Sequence, residues 1–159
     1  MDMSKFTSLA QQTLSQASSL ARSMDHAELA PIHLLVVLLG DETGTPRSII
    51  KRAGGNSSRI VELATAQLNR MPTVTGTQPQ MSQAVMDILT DSLAFAKAMG
   101  DSYATIEHLL LALFKSTSDA KDCIALGGVT TDNIEQSIEL IRKESGVTNV
   151  INENDDAQL

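Results

Sequence analysis

The fold is decided by the apolar stretch APIHLLVVLL at positions 30–39, which occurs a second time as TIEHLLLALF at positions 105–114. At a spacing of 75 residues His33 aligns with His108, and the match runs upstream without a gap as far as Ala21. A repeat of this length indicates a duplicated supersecondary unit. Neither copy could bury its apolar helix alone, so we expect the two copies to pack into one domain.

Helix signals divide both copies in the same way, into a long helix, a short buried helix, a second short helix and a long helix. N-cap residues and apolar spacing mark these boundaries, and paired glycines at 54–55 and 127–128 end the third helix of each copy. The predicted helices of the first copy run from Ser4 or Thr7 to residue 24, over 32–39, 46–53 and, capped by Asn56 or Ser57, to residue 70. In the second copy we predict one helix that begins after Ser82, a second that begins after Thr105, a third over 119–126 and a fourth that begins after Thr130 or Thr131.

We therefore predict an all-α fold of about eight helices with pseudo-twofold symmetry. Residues 1–145 would form a single duplicated domain, in which repeat one (4–70) and repeat two (81–145) are joined by a linker at 71–80. That linker is rich in Pro, Gly and Thr. From residue 146 the chain turns polar, so 146–159 is expected to be a solvated tail or the start of a longer linker.

Composition excludes several classes of partner. The net charge is -7, and residues 71–145 carry ten acidic but only five basic side chains, so no basic face is available for nucleic acid. The longest apolar run is far shorter than the ~20 residues of a membrane span. A single cysteine, Cys123, allows no intrachain disulfide and suits a reducing compartment. We expect a cytoplasmic protein with no membrane association.

The sequence carries no pattern for catalysis or for a bound cofactor. A phosphate-binding loop of the form G-x-x-x-x-G-K-S/T is absent, so the chain should not hydrolyse nucleotides. The histidines and Cys123 lack the close spacing of zinc ligands. A metal site between His33 and His108 is one alternative, and histidines that bond backbone or a carboxylate are the other and the one we favour. Cys123 is expected to be a buried, unreactive thiol.

The duplicated helix with its His-Leu-Leu motif resembles the N-terminal domain of the Clp/Hsp100 unfoldases, over about residues 4–145. The segments LNRMPTVTG at 68–76 and GDSY at 100–103 are most similar to the ClpB branch of that family. The resemblance implies a substrate-binding domain of an ATP-dependent disaggregase. Such a domain captures exposed hydrophobic segments of unfolded or aggregated polypeptides, and ATP would bind only in ATPase domains outside this chain, which form a hexamer. The isolated domain is expected to be a monomer without enzymatic activity.

Family positions linked to substrate handling fall on five residues of this chain. The resemblance assigns Thr7 at the start of the first helix, Asp101 after the fifth and Glu107 at the start of the sixth, and it places apolar groove positions near Leu89 and Tyr103. Because acidic charge gathers in repeat two, we expect an acidic rim around an apolar groove. The alternative for Asp101 and Glu107 is helix-end chemistry, since an acid in a first turn is favoured by the helix dipole.

A second function stays open at this point. In ClpA- and ClpC-type relatives the domain docks a folded adaptor, and ClpC relatives carry a glutamate before the histidine of both repeats. Here the first repeat has Ile32 at that position, which departs from the paired-acid pattern. Differences between the copies therefore point to repeat two as the place of a site.

Overall fold

The computed structural model describes residues 2–146 and 149–153. Eight α-helices follow a short 3-10 turn at Met3–Lys5 in this part of the chain. In chain order they are α1 (Ser8–Ser23), α2 (Pro31–Leu38), α3 (Thr45–Arg52), α4 (Ser57–Arg70), α5 (Gln83–Ala98), α6 (Ile106–Lys115), α7 (Asp119–Leu126) and α8 (Thr131–Ser145). The predicted all-α, duplicated four-helix architecture is confirmed.

The short apolar helices α2 and α6 lie at the centre of the molecule and pack against each other. Leu34 and Leu35 of α2 and Leu109, Leu110 and Leu113 of α6 are completely buried. Contacts also cross between the repeats at the outer helices, where α3 packs on α8 and α4 on α7. One continuous core therefore spans both repeats, as the apolar sequence of the two helices requires.

Each long or buried helix begins at a capping group that the sequence provides locally. The side chains of Thr7, Asn56, Ser82, Thr105 and Thr130 accept a backbone N–H of the first turn of α1, α4, α5, α6 and α8. Ala30 precedes α2 and offers no acceptor, but its own N–H donates to the Nδ1 of the histidine three residues on, at 2.9 Å. Local capping thus explains why the predicted helix starts were accurate.

Close approach between the repeats requires glycine at two positions. A Cβ atom on Gly55 would lie 1.9 Å from Cγ2 of Val129, and one on Gly127 would lie 2.4 Å from Cγ1 of Ile60. The N–H of Asn56 also donates to the carbonyl of Gly127 at 3.0 Å. The paired glycines therefore do more than end α3 and α7, because they let the two repeats meet at backbone distance.

The linker between the repeats runs along the turn that connects α1 to α2. Its Val74 N–H donates to the carbonyl of Asp25 at 2.7 Å. Two short parallel strands that the sequence did not predict, β1 (Glu28–Leu29) and β2 (Gln80–Met81), complete this contact. The linker is thus attached to repeat one by backbone hydrogen bonds.

Within the predicted tail, residues 149 and 151–153 are exposed, but Val150 is not. Val150 is fully buried, and its carbonyl accepts the N–H of Ser102 at 2.7 Å. The carbonyl of Glu153 accepts the N–H of Ser8 at 2.8 Å. This C-terminal segment therefore returns to the domain and packs near the N-terminus of α1; positions 147–148 and 154–159 of the predicted tail lie outside the described residues.

None of the helices within the described part of the chain is long and apolar enough to cross a membrane.

If the two repeats share one core, Leu34→Ala in repeat one should destabilise both. We expect a loss of about 2–5 kcal/mol in the free energy of unfolding, the usual cost of truncating a fully buried leucine. Hydrogen exchange should accelerate equally for slow amides of α2 and α6. Leu126→Ala, at a side chain that is 71% exposed, serves as the control and should change little. Faster exchange confined to α2 would show that the repeats unfold separately.

Candidate functional site

A buried network of charged side chains lies in repeat two, centred on Arg142 of α8. The Nη1 of Arg142 donates to Oδ1 of Asp101 at 2.9 Å, and its Nε donates to Oε2 of Glu107 at 3.2 Å. Asp101 is 7% exposed, Glu107 0% and Arg142 6%. One guanidinium thus serves two carboxylates in a site that water screens poorly, where breaking a pair leaves an uncompensated charge.

His108 joins this network through its Nε2. Its Nδ1 accepts the backbone N–H of Thr105 at 2.9 Å, which caps α6. The ring proton of the neutral imidazole therefore sits on Nε2, 3.1 Å from Oδ2 of Asp101. Asp101 in addition accepts the N–H of Val150 at 2.8 Å, so this carboxylate connects α6, α8 and the C-terminal segment.

The environment moves the pKa values of the two carboxyl groups in opposite directions. Burial raises the pKa of Asp101, but the polar contact with His108 and the hydrogen bonds from Arg142 and the Val150 N–H outweigh it and lower that pKa to about 2. Burial also raises the pKa of Glu107, and there the opposing charge of Arg142 does not outweigh it. Burial lowers the pKa of Arg142, but its two carboxylate partners outweigh burial and raise it overall. Asp101 is therefore the more firmly ionised partner of the arginine.

The five residues assigned from the sequence do not form a surface site together. Thr7 is buried as the N-cap of α1, Leu89 is a core residue with 1% exposure, and Tyr103 is half-buried. Asp101 and Glu107 do not contribute to an acidic rim, because both are buried and paired with an arginine. Their assignment to substrate binding stays a prediction.

The sequence reasoning missed Arg142, although a signal for it exists. The apolar face of α8 carries Ile134, Ile138 and Ile141, and Arg142 lies four residues after Ile138 on the same side. An arginine on the apolar face of an amphipathic helix indicates a buried acidic partner. The carboxylates that provide it, however, are 35 and 41 residues away in sequence.

Repeat one has an uncharged set of side chains in the same place. Its His33 repeats the cap of His108, and the Nε2 of His33 donates to Nδ1 of His26 at 2.8 Å. The favoured role for the two histidines, bonds to backbone or to a neighbouring carboxylate, is confirmed, since both accept a backbone N–H and His108 also lies 3.1 Å from the carboxylate of Asp101. At a spacing of 75 or, in the last helix, 74 residues, the counterparts are His26 for Asp101, Ile32 for Glu107 and Leu68 for Arg142.

An apolar groove opens at the surface between α5, α6 and α8. It has a volume of about 270 Å³, and its edge carries Lys115, which pairs with Glu135 at 2.8 Å and lies 4.8 Å from the centre of the Phe95 ring. The groove is lined by Phe95, Ala98, Met99, Leu111, Lys115, Glu135, Ile138 and Glu139. None of the five residues assigned from the sequence is among them.

A second, more polar cleft of about 320 Å³ lies beside α1, α2 and α3. Leu9 and Val37 contribute apolar surface there, while Thr13, Asp41 and Thr43 contribute polar groups. These two concave surfaces therefore differ in character.

The geometry of the described residues supports neither a metal site nor a reactive thiol. Within residues 2–146 and 149–153, no group of three or more His, Cys, Asp or Glu side chains is arranged to hold a metal ion. The acidic oxygens nearest to His108 are already engaged by Arg142. Cys123 is 4% exposed, and burial raises the pKa of its thiol, which disfavours the reactive thiolate.

Comparison with known proteins gives a consistent result. The Clp repeat (R) N-terminal domain matches residues 5–125. The chain is 35% identical over 147 residues to the chaperone protein ClpB of Rhodopseudomonas palustris, covering 90% of this chain and 17% of that protein. It thus spans less than a fifth of the length of this curated relative.

Solved structures share the fold. The Hsp104 N-terminal domain from Candida albicans superposes with a TM-score of 0.82 at 24% identity, covering 96% of this chain and 99% of that one. A ClpV N-domain solved in complex with a VipB peptide superposes with a TM-score of 0.72 at 20% identity, covering 89% of both chains. At this identity the likeness concerns the fold alone.

Loss of the network arginine should destabilise the domain more than loss of the whole network. Arg142→Met leaves two buried carboxylates without a cation, and we expect it to cost about 3–5 kcal/mol of unfolding free energy. The triple variant Asp101→His, Glu107→Ile and Arg142→Leu copies the uncharged set of repeat one, and it should be more stable than the single variant. Urea unfolding measures both. A triple variant less stable than Arg142→Met would contradict this energetic account.

Acid should destabilise the domain partly through His33. Burial, and next the neighbouring His26, lowers the pKa of His33 from 6.5 to about 4. The unfolded chain therefore binds a proton here at a higher pH than the folded chain, and the free energy of unfolding falls as the pH drops from 6.5 towards 4. The slope is at most about 1.4 kcal/mol per pH unit for this proton.

Urea midpoints at pH 7, 6 and 5 for the wild type and His33→Gln provide the measurement. The variant lacks the proton site, so its midpoint should fall less between pH 7 and pH 5. Equal pH dependence in both proteins would contradict the assignment.

Proposed function

The chain belongs to the Clp repeat N-terminal domain family, and on that basis we propose that it is a polypeptide-binding domain without a catalytic site of its own. The observation that carries the proposal is the open apolar groove between α5, α6 and α8. It combines an apolar lining with a charged edge, which suits a bound segment with alternating apolar and polar side chains.

The lining residues have the properties of an adaptable binding surface. Phe95 and Met99 are half-buried, so part of each side chain faces the groove while the rest packs on the core. An aromatic ring offers a large contact area, and a methionine adjusts its rotamer to differently shaped partners. Lys115 is paired with Glu135, whereas Glu139 adds a further negative charge to the edge. The groove therefore favours apolar segments without excess negative charge.

The finer proposal is that this domain captures exposed hydrophobic segments of unfolded or aggregated proteins for a ClpB-type ATP-dependent disaggregase. ATP would bind in ATPase domains that lie outside this chain and assemble as a hexamer, in the cytoplasm. The names of the curated relatives support this proposal, as does the VipB peptide bound to a ClpV N-domain of the same fold.

Adaptor docking is the second candidate function, and the cleft beside α1, α2 and α3 favours it. Its polar groups alternate with apolar surface, which is the composition of a patch that binds a folded partner. The two candidates therefore use different surfaces, which makes them separable by mutation.

Binding of a permanently unfolded protein tests the proposal. We expect reduced, carbamidomethylated ribonuclease A, which is unfolded and gains no negative charge from the modification, to bind the wild-type chain, with the affinity measured by fluorescence anisotropy. Met99→Gln, which is close to isosteric, should weaken binding by at least about fivefold, equal to about 1 kcal/mol, because it places an amide in the apolar groove.

Leu140→Gln is the control, since this leucine is on α8, one of the helices that form the groove, but is 50% exposed and outside the groove. Its affinity should stay that of the wild type. If the Met99→Gln variant binds with full affinity and the Val37→Gln variant binds more weakly, the binding site is the second cleft and not the groove.

A further inference from the structure

The groove and the buried network share the same three structural elements. Asp101 follows the groove residue Met99 by two positions, Glu107 precedes Leu111 by one helical turn, and Arg142 follows Ile138 by one turn. Each of the three helices that form the groove therefore carries one member of the network or is followed by it in sequence.

Arg142 joins these elements to one another. Its bond to Asp101 connects α8 with the turn after α5, and its bond to Glu107 connects α8 with the start of α6. The contact between His108 and Asp101 provides the third connection, between α6 and the turn after α5. A planar guanidinium with fixed donor directions restrains the distance and the angle between its partners.

The C-terminal segment strengthens the restraint at the end of α5. The Nδ2 of Asn149 donates to the carbonyls of Met99 and Gly100, both at 3.1 Å, while the N–H of Val150 donates to Asp101. Met99 lines the groove, so the segment and the network together hold one wall of it in place.

Repeat one shows that the fold itself does not require these charges. The same position there is filled by His26, Ile32 and Leu68, which are buried to a similar degree. The uncharged set belongs to a repeat whose corresponding helices are equally well formed. Formation of the helices alone therefore does not explain why repeat two has two carboxylates and an arginine there.

We propose that Arg142 is a positioning residue of the peptide groove, which it forms by fixing the ends of α5, α6 and α8 through Asp101 and Glu107. The inference rests on the proposed peptide-binding function. It assigns Asp101 and Glu107 a role in binding without direct contact with the bound peptide.

The test compares the wild-type chain with the triple variant Asp101→His, Glu107→Ile and Arg142→Leu. Circular dichroism should show unchanged helix content. Affinity for carbamidomethylated ribonuclease A should fall by at least about fivefold, a coupling typical of linked sites. Unchanged affinity in the folded variant would overturn the inference.

A second variant, Arg142→Lys, retains one positive charge without the fork of donors, and its affinity should lie between those of the other two proteins. It keeps the test valid if the triple variant does not fold. If the Arg142→Lys variant binds the unfolded protein as tightly as the wild type, positioning by the guanidinium is contradicted. Ile32→Leu is the control at the repeat-one position and should leave the affinity unchanged.

Chemical shifts of the free proteins separate this inference from the proposed function. The methyl resonances of Met99 and Ile138 should shift in both network variants without any peptide present. Unchanged methyl shifts would overturn the positioning role, whether or not the chain binds unfolded protein. A wild-type chain that fails to bind would instead overturn the proposed function.

Discussion

Mutual burial of the two apolar helices α2 and α6 is the constraint on which the structure depends. Both are almost entirely apolar and only eight and ten residues long, so neither is stable in water without a partner. Packing them together at the centre of a pseudo-twofold arrangement leaves the longer, amphipathic helices to cover the outside. The glycines at 55 and 127 allow a second close approach of the two repeats, since a side chain at either position would collide with the opposite repeat.

The residues to which we assign a functional role lie where the two repeats differ in sequence. Repeat one fills the space beside its buried helix with a histidine pair and aliphatic side chains, whereas repeat two places an arginine between two carboxylates. A buried ion network of this kind adds less stability than apolar packing would, because desolvation opposes the attraction between the charges. Its position beside the apolar groove gives it a role in shaping that surface.

Local signals predicted most of the fold from the sequence. The sequence predicts the N-caps Ser82 and Thr105, and offers Thr7 as one of two candidates, because a cap depends on residues within one turn. The network could not be predicted in the same way. Glu107 lies in the first turn of its helix, a position typical of a surface acid. Arg142 reaches it only because α8 packs against the start of α6 in the folded domain. The groove depends on three helices at once, so no single stretch of sequence indicates it.

The most direct test of the account is an NMR measurement on the labelled chain bound to an unfolded peptide with apolar side chains. Intermolecular NOEs report which side chains of the domain touch the peptide. The account predicts NOEs from the peptide methyl groups to the groove residues Phe95, Ala98 and Met99, and none to Leu89, which is buried outside the groove. NOEs confined to Leu9 and Val37, in the cleft beside α1, α2 and α3, would contradict it.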